Sequence, residues 1–122
     1  MTELPAIQIF PGHAECRLVA CLNLQEAFQL ITATIARARE QEISNLLLDI
    51  TGMTGFAPPS LGQRFYFFEE WARAARARVR VAFVAPAAMI DERKFGITVA
   101  ANNNFTAEAF TCAEKALAWL QT

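Results

Sequence analysis

The chain has 122 residues, with 11 Lys and Arg set against 12 Asp and Glu for a formal net charge of −1. That length suits a single domain, 1–122, able to remove roughly two thirds of its unfolded surface from water without disulfides or a structural metal. The balanced charge excludes the cation excess of a nucleic-acid or anionic-membrane footprint, and no apolar run reaches the ~18 residues of a membrane span, the longest being broken by Arg78, Arg80 and Pro86.

Segments 6–10 and 15–22 are rich in β-formers and are separated by Pro11-Gly12-His13, which predicts a β-hairpin with His13 in its turn. Asn23 with Glu26 three positions on has the pattern of a capping box. Leu24, Phe28, Ile31, Ile35 and Ala38 then recur at helical spacing as one apolar stripe. Segment 45–50 is a short apolar run, broken by Thr51-Gly52-Met53-Thr54-Gly55, and reads as the central strand, covered on both faces. Pro58-Pro59 forbids helix in the following loop, and Ser60 with Gln63 repeats the capping pattern for a helix running to about Arg76. Segment 79–85 is a second buried strand stopped by Pro86. Asp91 is the expected N-cap of a helix through Phe95 and Val99, ended by Asn102-Asn103-Asn104, residues able to turn left-handed. Segment 105–110 is a last strand, and Thr111 with Glu114 predicts a third capping box before a terminal helix whose inner face is Ala113, Ala116, Leu117 and Leu120.

The order ββαβαβαβα predicts the α/β class: a leading hairpin, then alternating βα units, in a mixed sheet packed with about four helices. Ligands collect at the carboxyl ends of parallel strands, so any site is expected around residues 49–60, 85–91 and the approach to Thr111. Asp49, Thr51, Gly52, Met53, Thr54, Phe56, Met89 and Asp91 are therefore the candidate ligand or partner loops.

No catalytic set is legible. The one histidine, His13, is expected in a solvated turn, which is a poor base for a nucleophile system built on rigid elements. One histidine and three dispersed cysteines offer no metal-ligand pair. Gly52, Gly55 and Gly62 match neither a dinucleotide fingerprint nor a phosphate loop, so no metal and no cofactor is expected. Cys16, Cys21 and Cys112 read as packing residues. Their odd number, with a start that lacks the regions of a signal peptide, leads to the expectation of a reduced, cytoplasmic setting. Glu69-Glu70, about 100° apart on a helix, reads as a solvated face. Arg73, Arg76, Arg78 and Arg80 read as cations relieving a helix C-terminus.

Phe65-Tyr66-Phe67-Phe68 sweeps most of a helix circumference and cannot all face one sheet. Phe65 and Phe68, with Ala72 and Ala75, suit the sheet side. Phe67 and Trp71 then form a second stripe, exposed in a monomer, which with Tyr66 is a candidate interface for self-association or a protein partner unless a neighbouring helix or loop covers it.

The element order, the run from Asn45 through Leu46, Leu47, Leu48, Asp49, Ile50 and Thr51 to Gly52, and Ser60-Leu61-Gly62 opening a helix resemble the STAS domains and the SpoIIAA-like proteins. The stretch from Asp91 to Gly96 and the final strand-helix unit from Phe110 to Leu120 are similar to small SpoIIAA-like proteins. The resemblance implies a non-enzymatic regulatory or protein-interaction module with Ser60 as the candidate phosphoacceptor. The family's Asp-Ser pair is Pro59-Ser60 here, and Ser60 as a plain N-cap is the other reading. The same fold is likened to lipid-binding domains of the SEC14 type, which implies a second class, a carrier or sensor of a small apolar ligand. Met53, Phe56, Phe65 and Met89 would then line its pocket or be ordinary core.

Overall fold

Two capping boxes form as their spacing predicts and start the two longest helices. Asn23 Oδ1 accepts from Glu26 N at 2.8 Å while Glu26 Oε1 accepts from Asn23 N at 3.1 Å, and Ser60 with Gln63 makes the same reciprocal pair at 3.2 and 2.8 Å. The computed structural model describes residues 5–90 and 95–122. Along the chain the elements are β1 Gln8–Phe10, β2 His13–Cys21, α1 Leu24–Glu40, β3 Asn45–Thr54 and α2 Leu61–Ala75. Then come β4 Arg80–Val84, a short 3-10 turn Ala87–Met89, α3 Phe95–Asn102, β5 Ala107–Phe110 and α4 Ala113–Leu120.

The sheet is mixed, five strands in the order β1-β2-β3-β4-β5. β1 runs antiparallel to β2 and the remaining pairs are parallel. β3 is the middle strand, as its apolar run predicts. Alternate side chains of the parallel strands separate two cores. Cys16, Leu18, Leu46, Leu48, Val81 and Phe83 pack with α1, α2 and α3 in the larger one. Leu47, Ala82 and Val84 pack on the other face with Ala116 and Leu120 of α4.

Several local expectations are corrected. The central strand does not stop at Ile50 but continues to Thr54 through a bulge: Arg17 pairs with Asp49 and Val19 with Gly52, so β3 spends one residue more than β2 between these rungs. The extra residue reverses the alternation, and Met53 returns to the helix-covered core with Leu48. His13 is not in the turn. A two-residue Pro11-Gly12 connection suffices, with Gly12 at φ +83°, so His13 is the first residue of β2, stacked on Phe10 and 2.8 Å from Glu15 Oε2. The box expected from Thr111 and Glu114 does not form. β5 stays paired to β4 through Phe110, Thr111 is used in the turn, and Cys112 is an N-cap without a side-chain bond. Cys16 is core as expected, but Cys21, near the end of the sheet, is exposed. Asn104 takes the left-handed conformation expected of the asparagine run, at φ +59°. The cap assigned to Asp91 falls outside the described residues.

Arg80 does not serve the C-terminus of α2, from which it was expected to act. It lies on β4, reaches the carbonyls of Trp119, Leu120 and Thr122 at 3.4 Å each, and its guanidinium sits 4.7 Å from the centroid of the Trp119 ring. The cation thus answers the negative end of α4.

Candidate functional site

Placement of the aromatic run is decided by where α2 lies, flanked by α1 on one side and α3 on the other above the sheet. Three neighbours leave less of the helix open than one sheet would. Phe67 and Trp71, expected as an exposed stripe, are buried at 7% and 6% exposure. Phe67 stacks on Phe28 of α1, ring centroids 4.5 Å apart, while Trp71 meets Phe83 of β4 at 5.3 Å and Phe68 at 4.9 Å. This correction removes Phe67 and Trp71 from any interface of the folded monomer. The residues left outside are Leu61, Phe65 and Tyr66, at 56%, 41% and 52% exposure, so Phe65 does not face the sheet as expected.

Between these rings lies a cavity of about 100 Å³ at the carboxyl ends of β3 and β4. Its walls come from every layer of that half of the molecule: Phe28 and Ile31 of α1, Ile50 of β3, Phe56 and Pro59 of the following loop, Phe67, Phe68 and Trp71 of α2. Phe83 and Ala85 at the end of β4, Met89 and Ile90 beyond it, Ile97 of α3 and Ala109 of β5 complete it. Its position follows the rule for parallel sheets, in which loops diverge beyond the strand ends. Its content is hydrocarbon and aromatic, the character of small-molecule pockets.

Arg64 is the polar side chain of that lining among the described residues, and one of its rings, Trp71, carries an orphaned donor. Trp71 Nε1 is buried and has no acceptor among the described residues, a deficit that costs about 1–3 kcal/mol for a buried donor. Arg64, half-buried in the first turn of α2, donates from Nε to Pro59 O at 3.1 Å and from Nη1 to Met89 O at 3.0 Å. It bridges the loop before α2 and the turn after β4.

Of the candidate loop residues, Phe56 and Met89 reach the cavity; Met53 is buried in the larger core but is not part of the wall. Asp49 points to the other face of the sheet, as its rung with Val84 requires. Its Oδ1 accepts from Thr51 N at 2.9 Å and Thr51 Oγ1 at 2.7 Å, and its Oδ2 lies 3.9 Å from Arg17 Nε. Thr51 and Thr54 are exposed and Gly52 is half-buried. Ser60 is exposed at the head of α2. Asp91 lies outside the described residues. His13 is at the amino end of β2, remote in the fold from the cavity end. Among the described residues no group of three or more His, Cys, Asp or Glu is placed to hold a metal ion, and no helix is long and apolar enough to cross a membrane.

Sequence reasoning missed Arg64 and Phe28 as wall residues. The signal was present: Arg64, Phe67, Phe68, Trp71, Ala72 and Ala75 recur at steps of three and four and form the inward stripe, which keeps Phe68, Ala72 and Ala75 of the expected one but takes Arg64, Phe67 and Trp71 in place of Phe65. Only the flanking helices select between the two settings. No family model matches the sequence, and no curated protein matches it.

Proposed function

We propose that this chain is a non-enzymatic binding domain of SpoIIAA-like type that holds a small apolar ligand in the cavity beneath α2. The carrying observation is the aromatic cavity at the carboxyl ends of the parallel strands, where walls from α1, α2, α3 and the sheet converge around the side chain of Arg64. Among the described residues no carboxylate or imidazole lines the cavity: Asp49 faces across the sheet and His13 stands at the opposite strand ends. Native mass spectrometry of protein purified from its own host tests the reading. A retained small-molecule adduct, lost on extraction with organic solvent and regained with an apolar probe such as toluene, is the expected result. Protein that neither carries an adduct nor binds toluene refutes it.

A second reading, a regulatory protein-interaction module, is favoured by a separate observation. Leu61, Phe65 and Tyr66 are exposed apolar residues of the helix whose inner side walls the cavity. Ser60, the candidate phosphoacceptor, caps the same helix, where a phosphate would meet free amides and the positive dipole end. Substituting Leu61 and Tyr66 by Ser and measuring mass in solution tests self-association through these residues, with an unchanged monomer in both proteins as the refuting result.

A further inference from the structure

A cavity of about 100 Å³ is smaller than the roughly 150 Å³ engineered apolar cavity that accepts benzene, so it encloses a short branched chain or part of one ring, with the rest of the ligand at its open mouth, and excludes a long acyl chain. Arg64 sets the polar end of the ligand. Arg64 is held by two backbone carbonyls, of Pro59 and Met89, which engage Nε and one Nη1 hydrogen. A guanidinium carries five donors, so those at Nη2 and the second of Nη1 have no acceptor in these bonds. No carboxylate among the described residues pairs with Arg64. Fixed in place, positively charged and set in an otherwise apolar wall, Arg64 is pre-organised for a carboxylate.

We infer that the ligand is a small monocarboxylic acid with a compact apolar body, its carboxylate received by Arg64. This rests on the reading of the cavity as a ligand site. The body packs against the wall that the Phe28–Phe67 stack and Phe68 form.

Titration calorimetry of the solvent-extracted full chain with three probes, toluene, 3-phenylpropanol and 3-phenylpropionate, separates the ligand site from its carboxylate preference. A charge-assisted hydrogen bond predicts that the acid binds at least about tenfold tighter than the alcohol. That ratio falls to near one in Arg64→Gln while toluene binding persists, and Arg64→Lys keeps a reduced preference. Equal affinity for acid and alcohol, or a preference that survives Arg64→Gln, overturns the carboxylate assignment. If toluene too fails to bind, the ligand-site reading itself falls.

Discussion

The Phe28 and Phe67 rings stack 4.5 Å apart at an interplanar angle of 20°, joining α1 to α2 over the cavity. Phe67 is therefore a core residue, and its removal is a stability experiment. Phe67→Ala is expected to cost about 3–5 kcal/mol in urea unfolding, the range for burying no ring where one was packed. Tyr66→Ser, one position along and half exposed, is expected to stay within about 0.5 kcal/mol of the parent, as exposed sites do. Equal effects of the two would contradict the helix placement.

Ser60 is in a closed capping box, its hydroxyl accepting from Gln63 N. Ser60→Ala should lower stability by about 1 kcal/mol, whereas Ser60→Asp retains the cap and the favourable charge at the helix start. Chemical denaturation of the three proteins checks the order. A phosphoacceptor role adds a separate outcome: Ser60→Asp would also change partner capture, which the cap alone would not.

Opposite signs are expected at two glycines of the β3-α2 connection. Gly55 has φ +102°, and a Cβ there would lie 2.5 Å from Leu22 O. Gly55→Ala should cost at least about 1–3 kcal/mol from the backbone conformation alone, with the contact adding to it. Gly62 lies inside the first turn of α2 with no atom within 4 Å of an added Cβ. There Ala should stabilise by about 0.4–1 kcal/mol through the unfolded chain. Thermal melts of the two variants distinguish these directions.

Burial pushes the Cys16 thiol up from its ordinary value of 9.0, and Arg37 pulls it back less strongly. A raised pKa in the folded state means that the unfolded chain releases its proton first. The contribution of Cys16 is then complete below pH 9 and declines as pH rises above it, through the folded value. Subtracting the stability profile of Cys16→Ala from that of the parent should isolate this alkaline loss. With a disulfide-exchange reagent at neutral pH, Cys21, which is exposed, should react first and Cys16, at 1% exposure, only on unfolding.

Arg80 joins β4 to the last turn of α4 through three carbonyls and the Trp119 ring. Arg80→Lys retains the charge but loses the planar fork and the stacking surface. The loosened contact should appear as faster amide exchange in 113–120 and altered Trp119 fluorescence, while exchange in α1 stays unchanged. A uniform rise across both helices would place the effect on global stability instead.

The ββαβαβαβα order, the middle position of β3 and the boxes at Asn23 and Ser60 were all legible from the sequence. Each rests on local terms, namely apolar periodicity, turn residues and cap spacing, which act within a few residues. Those same local terms placed an α/β domain and the end of the sheet at which a site should lie. They could not choose which side of a helix made aromatic almost all round would turn inward. That choice depends on α1 and α3 flanking α2, residues distant in sequence, and it moved Phe67 and Trp71 from a surface to a cavity wall. The bulge after Asp49 likewise sends Met53 inward and leaves Asp49 on the opposite face. Arg64 acquires its place through carbonyls on two separate loops, Pro59 and Met89. Such relations arise only when distant segments pack, because the energy that selects them is contact between surfaces rather than any preference carried by a single stretch of chain.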